Sequence, residues 1–300
     1  MGLIPPMLPF PFFILAGGYG KRTQPLSFFK PKPMFPLDGE PLIRIMLNQL
    51  TQKGFNQGWI NLHHLADMLR DCVEALPAKP SLSYIYEDRL SGSRVLREAL
   101  PHLKPGEWLL TLNGDIFLDI PVEGMLEAGR TADVDGILLV RPNKETNAAY
   151  TEILAEDGYF TGKQSHAGRN ANADSWMYTG VALFKPPVIE AITEINLFDT
   201  LERKKTTFRI KLFPYDGIWL DIGDPKSYRE SNFAYKKRMN TEGTNSLSEH
   251  VSISPDSIVE HSIVWENTEI KNKSTVRNCI LTGNMILDHQ YYENQIISGF

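Results

Sequence analysis

Three glycines within four residues follow the first apolar stretch of the chain, in the sequence LAGGYG at 15–20. Because glycine has no side chain, backbone N–H groups in such a turn can approach a ligand closely and donate to phosphate oxygens. Arg22 and Lys32 come next, and their side chains would place positive charge beside bound phosphates. A Walker A loop is excluded, because no Gly-Lys-Ser/Thr follows at the required spacing. The combination predicts a phosphate-binding turn.

Two aspartates each follow an apolar stretch of the kind that forms a buried strand. Asp115 comes after WLLTL at 108–112, and Asp221 comes after a second aromatic and apolar stretch. Ligands of open α/β sheets bind beyond the carboxyl ends of the strands, and Mg²⁺ takes carboxylate oxygens together with substrate phosphates. Single aspartates at such places are also common turn and cap residues. The residues alone therefore leave both a metal-binding role and a structural role open.

The stretch 14–43, ILAGGYGKRTQPLSFFKPKPMFPLDGEPLI, resembles the signature of the sugar-1-phosphate nucleotidyltransferases, also called NDP-sugar pyrophosphorylases. That signature reads L-A-G-G-x-G-x-R-x-x-P-L-T, followed by P-K-P-M and P-L-I. Further segments resemble the family in the same order: NLHHL at 61–65, a segment of the mannose-1-phosphate guanylyltransferase branch; LNGD at 112–115, the metal motif; YTGV at 178–181, the sugar-pocket strand; and WLDIGDP at 219–225, the late W-x-D-I-G-T-P motif. The order of the motifs makes the resemblance specific.

The resemblance implies a nucleotidyl transfer reaction with Mg²⁺ as the cofactor. A phosphate oxygen of a sugar 1-phosphate attacks the α-phosphorus of a nucleoside triphosphate, and pyrophosphate leaves. GTP with mannose 1-phosphate, or with a related sugar, is the expected substrate pair. The implied roles are catalytic for Arg22 and Lys32; metal-binding for Asp115 and Asp221; nucleotide-binding for Leu15, Ala16, Gly17, Gly18, Gly20, Glu87 and Gly92; and sugar-binding for Asn113, Tyr150, Glu152, Thr179 and Gly180.

Two segments leave the identity of the base and of the sugar undetermined. Glu87 lies in YEDRLSGS at 86–93, which resembles the family's E-x-x-x-L-G-T. A glutamate there can accept from the two donors of a guanine edge, but a solvated loop charge is an equal alternative. GKQSH at 162–166 stands where the family usually carries Glu-Lys-Pro, with Lys163 out of register and His166 as a candidate in its place. Mannose, a heptose, glucose and N-acetylmuramic acid all stay open as the sugar.

Two other classes of function are weighed against this one. A non-catalytic homologue that binds a sugar nucleotide and regulates a partner is motivated by the altered segment 162–166. An acyltransferase acting through the C-terminal tail would need a longer tail and a catalytic histidine, for which His250 and His261 are poor candidates. His63 and His64 are adjacent, and adjacent residues on one strand point to opposite faces, so we do not expect them to bind one metal ion.

Strand-like and helix-like patterns alternate through the first two thirds of the chain. This alternation predicts an α/β class with a Rossmann-like, mostly parallel sheet. We expect strands at 12–15, 58–62, 82–86, 108–112, 136–140, 178–184 and 208–213. Helices are expected at 41–53, 65–76, 92–100, 122–130, 186–194 and 225–238. Together they predict a nucleotidyltransferase domain at 1–240.

The pattern changes after the polar run 239–250, which we interpret as a linker. In 251–281 aliphatic residues recur every five to seven positions, which indicates a short left-handed β-helix-like tail within a second domain at 241–300. An irregular β tail is the alternative. Because so short a stack does not easily stand alone, we expect it to pack on the main domain or to join a second copy in a homo-oligomer.

Composition excludes some partners and indicates the compartment. Lys plus Arg total 31 and Asp plus Glu total 36, a net charge of −5, so no nucleic-acid partner is expected. The two cysteines, Cys72 and Cys279, are far apart in sequence and are interpreted as free thiols. The apolar run 1–18 lacks a basic n-region, and prolines interrupt it, which argues against a signal peptide or a membrane span. We therefore expect a cytoplasmic protein without a membrane partner.

Overall fold

A computed structural model of the chain describes residues 8, 10–143, 150–164 and 175–299. The residues group into two compact units, each assembled from separate parts of the sequence. Unit 1 comprises Met1–Gly17, Gln49–His63 and Ala78–Trp219, and unit 2 comprises Gly18–Asn48, His64–Pro77 and Leu220–Phe300. These units are sets of mutually contacting residues rather than consecutive segments, so the sequence domains at 1–240 and 241–300 stay a prediction.

The strands and helices follow in chain order. They are β1 (Phe12–Leu15), β2 (Pro36–Leu37), β3 (Glu40–Pro41), α1 (Leu42–Gln52), β4 (Gln57–Leu62), α2 (Ala66–Glu74), β5 (Ser81–Tyr86), β6 (Leu109–Asn113), β7 (Ile116–Leu118), α3 (Val122–Thr131), β8 (Gly136–Pro142), β9 (Glu152–Glu156), β10 (Tyr159–Gln164), β11 (Ser175–Phe184), α4 (Pro186–Glu190), α5 (Leu197–Lys204), β12 (Ile210–Pro214), β13 (Trp219–Asp221), α6 (Pro225–Arg238), β14 (Ser246–Leu247), β15 (Ser252–Ile253), β16 (Ile258–Glu260), β17 (Ile263–Val264), β18 (Thr268–Lys271), β19 (Thr275–Arg277), β20 (Ile280–Leu281), β21 (Met285–Asp288), β22 (Tyr291–Glu293) and β23 (Ile296–Ile297). Short 3₁₀ helices lie at Lys21–Thr23, Leu26–Phe28, Lys32–Met34 and Gly92–His102.

Unit 1 is built on a nine-stranded sheet with the order β5-β4-β1-β6-β11-β8-β12-β10-β9. The pairings β5–β4, β4–β1, β1–β6 and β8–β12 are parallel. Strands β11 and β10 run against the other strands of the sheet. The predicted α/β fold with a mostly parallel sheet is therefore confirmed. The central strand β1 is an apolar run buried on both faces, as Phe12, Phe13 and Ile14 show, and such runs favour the middle of a parallel sheet.

Several predicted elements differ from those observed. The predicted helix at 92–100 is a 3₁₀ helix that contains Pro101, a residue that cannot donate an intrahelical hydrogen bond. The predicted helix at 186–194 ends at Glu190, and α5, which was not predicted, begins after the Asn196 cap. The antiparallel pair β9–β10 was also not predicted, although the Asp157-Gly158 turn between its strands, with φ of 50° and 79°, is a typical hairpin signal.

In unit 2, the strands from β14 onward form three parallel sheets, in the orders β14-β17-β20-β23, β15-β18-β21 and β16-β19-β22. Ile263 pairs with Ile280, 17 residues further on, and three strands fall within each such repeat. This arrangement accounts for the predicted aliphatic spacing of five to seven residues. The segment 239–250 is not entirely a linker, because β14 lies within it and pairs with β17.

Helix α6, also in unit 2, has the bounds that the sequence predicted. Asp224 caps its N-terminus by accepting from Ser227 N at 2.9 Å, and Ser227 Oγ bonds back to Asp224 N. This reciprocal arrangement satisfies two backbone donors at the first turn. Cys72 and Cys279 are both free thiols, as predicted. Among the residues that the structure describes, none of the helices has the length and apolar character needed to cross a membrane.

Candidate functional site

The glycine turn begins where β1 ends, at the carboxyl edge of the unit 1 sheet. Ala16 N donates to Asn61 Oδ1 at 2.7 Å, and Gly114 N donates to the Leu15 carbonyl at 2.8 Å. A Cβ atom at Gly17 would lie 2.7 Å from Asn61 Nδ2 and 3.3 Å from Glu87 Oε2. A side chain at position 17 would force the Asn61 side chain to shift, so close packing favours glycine there.

Glu87 is held against this turn by donors of its own unit. Its Oε2 accepts from Asn61 Nδ2, and its Oε1 accepts from Ser91 N at 2.9 Å and from Ser91 Oγ. His63 Nδ1 lies 2.6 Å from the Glu87 carbonyl oxygen, to which it donates. The structure thus brings together the predicted residues Ala16, Gly17 and Glu87. Acceptance by Glu87 from a guanine edge stays a prediction.

Asn61 is a residue that sequence reasoning missed as part of the site. Its side chain is buried and connects the turn to Glu87, since its Oδ1 accepts from Ala16 N and its Nδ2 donates to Glu87 Oε2. The available signal was a polar residue inside the apolar strand β4, where an amide must find partners. The segment 61–65 was noted for its family resemblance, yet the amide itself was not assigned a role.

Gly92 has a specific packing contact in unit 1. Its φ is 60°, and a Cβ atom there would lie 2.3 Å from the Ile195 carbonyl oxygen. Ser93 N donates to the same carbonyl at 2.8 Å. Gly92 thus lies close against the backbone of Ile195, and its contact with a nucleotide stays a prediction.

Three residues of the predicted sugar site lie at neighbouring strands of the sheet. A Cβ atom at Gly180 would lie 3.1 Å from both Cβ and Nδ2 of Asn113, and the φ of Gly180 is 92°. Thr179 is buried, and its hydroxyl donates to the Leu139 carbonyl at 2.9 Å. Its own carbonyl accepts from Trp219 Nε1 at 2.8 Å. The structure therefore brings Asn113 and Gly180 together, and Trp219 is a neighbour that was not predicted.

The other two predicted sugar residues lie at the β9 end of the same unit. Tyr150 stands edge-on to Trp219, with ring centroids 5.6 Å apart. Glu152 is 1% exposed, and its oxygens accept from Ser175 Oγ at 3.0 Å and from Gln164 Nε2 at 2.9 Å. Buried carboxylates need such donors, so this network accounts for the buried position of Glu152.

Gln164, which donates to Glu152, is the neighbour of Lys163 on β10. Because adjacent residues of a strand point to opposite faces, Lys163 faces away from Glu152. Its ammonium forms an ion pair with Asp199, and its backbone N donates to Glu202 Oε2 at 2.8 Å. Lys163 is thus engaged with α5, and its being out of register for a sugar-phosphate contact stays a prediction. His166, the candidate for its place, lies outside the described residues.

In unit 2, the second half of the turn is organised around the Gly20 carbonyl. It accepts from Thr23 N at 2.9 Å, Thr23 Oγ1 at 2.7 Å and Ser27 Oγ at 2.9 Å. Gly20 has a φ of 61°, and a Cβ atom there would lie 3.2 Å from Lys32 Cγ. Gly20 and Lys32 are therefore in contact, and Lys32 is 8% exposed.

Arg22 and Gly18 are exposed residues of the same unit. Arg22 belongs to the 3₁₀ helix Lys21–Thr23, whereas Gly18 has no atom within 4 Å of the place where a Cβ would lie. The adjacent histidines have separate partners, since His64 Nε2 lies 2.7 Å from the Ser27 carbonyl oxygen. Both histidines lie beyond Leu62, where β4 ends, so they do not share a strand, and the expectation that they do not bind one metal ion stays a prediction.

The two predicted metal ligands belong to different units. Asp115, in unit 1, lies half-buried in the turn between β6 and β7. Asp221, in unit 2, ends β13 and is also half-buried; a Cβ atom at Gly223 would lie 2.5 Å from its Oδ2. Within the described ranges, no group of three or more His, Cys, Asp or Glu side chains is arranged to hold a metal. A smaller set would be enough for Mg²⁺, which takes one or two carboxylates when phosphates complete its coordination.

Comparisons with known proteins agree with these observations. A family model described as nucleotidyl transferase matches residues 12–238. A protein of Sulfolobus acidocaldarius, provisionally named a mannose-1-phosphate guanyltransferase, is 26% identical over 271 residues, which cover 89% of this chain and 74% of that protein. The mannose-1-phosphate guanylyltransferase catalytic subunit beta of Dictyostelium discoideum is 25% identical over 229 residues, 72% of this chain. This chain spans 61% of the length of that subunit.

Solved structures share the fold. HddC from Yersinia pseudotuberculosis superposes with a TM-score of 0.62 at 20% identity, covering 76% of this chain and 100% of that one. A UDP-glucose pyrophosphorylase in complex with UDP-glucose gives a TM-score of 0.64 at 18% identity, covering 76% and 99%. At such low identity the likeness concerns the fold alone.

Proposed function

The chain belongs to the nucleotidyl transferase family, and on this basis we propose that it condenses a nucleoside triphosphate with a sugar 1-phosphate to give an NDP-sugar and pyrophosphate. The observation that carries the proposal is the glycine turn at the end of β1. Gly17 is packed so closely against Asn61 and Glu87 that even a methyl group would displace the Asn61 side chain. A turn held in this way keeps its backbone fixed beside the position of a nucleotide, which is what a phosphate-binding loop needs.

The reaction needs positioning and charge stabilisation rather than a covalent intermediate. Arg22 and Lys32 are proposed to bind the phosphates and to offset the negative charge that grows on them in the transition state. Glu87 and Gly92 are proposed to bind the nucleotide with the turn residues Leu15, Ala16, Gly17, Gly18 and Gly20. Asn113, Tyr150, Glu152, Thr179 and Gly180 are proposed to form the sugar side.

Asp115 and Asp221 are proposed to hold Mg²⁺. Carboxylate oxygens are its preferred protein ligands, and Gly223 leaves the space that the Asp221 carboxylate occupies. When bound, the ion would neutralise phosphate charge and orient the phosphates of the two substrates. The two aspartates would supply negative charge to the ion, and Arg22 and Lys32 would supply positive charge to the phosphates.

For the substrates we propose GTP and mannose 1-phosphate or a related sugar. The support is the relatives named mannose-1-phosphate guanyltransferases, at 25–26% identity. The second candidate function is a non-catalytic homologue that binds a sugar nucleotide. It is favoured by the engagement of Lys163 with Asp199 and by the buried network around Glu152, because both side chains already have protein partners on the sugar side of the fold.

Pyrophosphate release tests the proposal directly. The purified chain is assayed with each common nucleoside triphosphate against mannose, glucose and heptose 1-phosphates, with and without Mg²⁺. Turnover that is fastest with GTP and mannose 1-phosphate supports the full proposal, and turnover with another pair corrects the substrate. Tight nucleotide binding without release from any pair would establish the regulatory candidate instead.

The C-terminal strands are proposed to be a left-handed β-helix. The support is the set of three parallel sheets that repeats every 16 or 17 residues. Assembly into a homo-oligomer through these strands, and a cytoplasmic location, stay predictions; analytical ultracentrifugation tests the first.

A further inference from the structure

Lys32 lies in a segment whose shape is restricted by proline on both sides. Pro31 precedes the 3₁₀ helix Lys32–Met34, and Pro33 lies within it. Met34 N donates to the Pro31 carbonyl at 2.8 Å and Phe35 N to the Lys32 carbonyl at 2.9 Å. Because proline fixes φ, this short segment moves largely as one piece. The position of Lys32 therefore depends on what holds the two ends of the segment.

The first end is held by the C-terminal strands. Lys30, two residues before Lys32, is 8% exposed and forms an ion pair with Glu266. Its ammonium also lies 5.1 Å from the centroid of the Trp265 ring, within the range of a cation–π contact. A buried ammonium is costly to leave unpaired, so Glu266 and Trp265 fix where Lys30 lies.

The second end is held by an aromatic cluster, which consists of Phe35, Tyr228 and Trp265. The Phe35 ring centroid lies 5.2 Å from both of the other rings. Tyr228 Oη donates to the Pro36 carbonyl at 2.8 Å and accepts from Trp265 Nε1 at 3.0 Å. All three aromatic side chains are fully buried, so this end of the segment is fixed by packing and by hydrogen bonds.

Trp265 and Glu266 are themselves fixed by the next repeat of the C-terminal strands. Trp265 N donates to the Leu281 carbonyl at 3.0 Å, and Asn284 N donates to the Glu266 carbonyl at 3.0 Å. Gly283 lies against this turn, since a Cβ atom there would be 2.6 Å from the Glu266 carbonyl oxygen. The backbone that carries Glu266 is thus held by the repeat that follows it.

We propose that Glu266 is a positioning residue for Lys32, which it controls through its ion pair with Lys30 and the prolines between them. The proposal rests on the proposed function, because Lys32 is there assigned to bind phosphates. The ion pair lines a cavity of about 220 Å³, whose wall also includes Arg44, Cys72 and Glu249. Without Glu266 the ammonium of Lys30 can turn into this cavity, and the segment that carries Lys32 shifts with it.

The first experiment compares two substitutions in the same set of strands. Glu266→Gln is expected to lower kcat/KM for the nucleoside triphosphate by about 10- to 100-fold, since small misplacements of a phosphate-binding group cost this much. Glu260→Gln is the matched control, because Glu260 pairs with Arg277 at 2.9 Å within the same strands and does not contact Lys30. Its kcat/KM is expected to equal that of the wild type.

The second experiment separates positioning from general stability. In a Lys32→Met background, Glu266→Gln is expected to have no further effect on the residual kcat/KM, because its target is already absent. The double variant Lys30→Met/Glu266→Gln removes the unpaired charge and is expected to recover part of the lost rate. It also provides a folded protein if Glu266→Gln alone fails to fold. An equal loss in the presence and absence of Lys32 would overturn the proposal.

A structural readout makes the proposal independent of turnover. Crystal structures of the wild type and of Glu266→Gln are expected to differ in the side-chain position of Lys32. Unchanged Lys32 coordinates in the variant would refute the proposal even if the enzyme is active. Conversely, a wild type that releases no pyrophosphate defeats the proposed function, while a displaced Lys32 in the variant still supports the positioning role.

Discussion

The backbone N of Ala16, one residue beyond the end of β1, donates to the side-chain oxygen of Asn61 at 2.7 Å. This bond joins two strands that are neighbours in the sheet and 45 residues apart in the chain. It satisfies a backbone donor at the point where the glycine turn leaves the sheet. The amide of Asn61 then continues to Glu87, so the turn and the loop after β5 share one side chain.

Replacing Asn61 by leucine is expected to weaken both the fold and nucleotide binding. The substitution leaves the Ala16 N–H without its acceptor and removes the Asn61 donor from Glu87 Oε2, and a buried unsatisfied donor costs about 1–3 kcal/mol. Chemical denaturation and calorimetric titration with nucleotide measure the two effects. Gln49→Leu removes a half-buried bond to the Leu118 carbonyl elsewhere in unit 1 and is the control for nucleotide binding. Unchanged nucleotide affinity in Asn61→Leu would contradict the role of this residue.

Gly17 and Gly18 are expected to differ in their tolerance of a methyl group. A Cβ at Gly17 meets Asn61 Nδ2 at 2.7 Å, whereas a Cβ at Gly18 meets no atom within 4 Å. Gly17→Ala should therefore lower the free energy of unfolding by about 1–3 kcal/mol, typical of overpacking. Gly18→Ala should change it by less than about 0.5 kcal/mol. Urea denaturation measures both, and equal effects would show that the turn relaxes freely.

Substitutions of Asp221, the last residue of β13, and of Asp224, the cap of α6, are expected to separate metal binding from helix capping. Asp221→Asn should lower Mg²⁺-dependent turnover by roughly 100-fold or more, as for other lost electrostatic groups. Asp224→Asn should leave turnover near that of the wild type, because asparagine caps a helix as well as aspartate does. Pyrophosphate release over a range of Mg²⁺ concentrations gives the comparison. Full activity of Asp221→Asn would exclude it as a metal ligand.

Tyr178, which is partly buried, and Tyr228, which is fully buried, are expected to make the fold sensitive to alkaline pH. Burial raises the pKa of Tyr178 and of Tyr228, although hydrogen bonds with Thr111 and with Trp265 and Asn232 act in the opposite direction. The folded state therefore keeps these protons above pH 10, where the unfolded chain loses them. The free energy of unfolding should be independent of this effect below pH 10 and should fall above it by about 1.4 kcal/mol per pH unit for each tyrosine.

Unfolding measured between pH 9 and pH 11.5 tests this expectation. Tyr178→Phe and Tyr228→Phe should each flatten the alkaline slope, although Tyr228→Phe also leaves Trp265 Nε1 without its acceptor. Tyr19→Phe, at an exposed position, is the control and should keep the wild-type slope. An identical slope in all three variants would mean that other groups cause the alkaline loss.

Much of the fold was predictable because its signals are local. The buried run of β1 and the Asp224-Pro225 start of α6 each specify an element through consecutive residues. The pair β9–β10 was missed because its strands are partly exposed and lack a continuous apolar run. The sequence pattern therefore described the centre of the sheet better than its edge.

The candidate site was predictable where its residues belong to motifs and not where they depend on distant partners. The glycine turn was recognised from its own composition, but the role of Asn61 follows only from the pairing of β1 with β4. Lys30 and Glu266 are separated by 236 residues, and nothing in either local sequence indicates that they meet. Such contacts are set by the three-dimensional arrangement of strands rather than by spacing along the chain.

The aromatic cluster has a consequence for how this protein can be shortened. Phe35 is encoded near the start of the chain, Tyr228 near the end of the family match and Trp265 beyond it, yet the three rings share one buried contact. A gene truncated after codon 240 would encode a chain without Trp265, and the rings of Phe35 and Tyr228 would lose the buried ring that packs beside them. We expect that truncated product to aggregate, so the last sixty residues are not an optional appendage that recombination could exchange without loss.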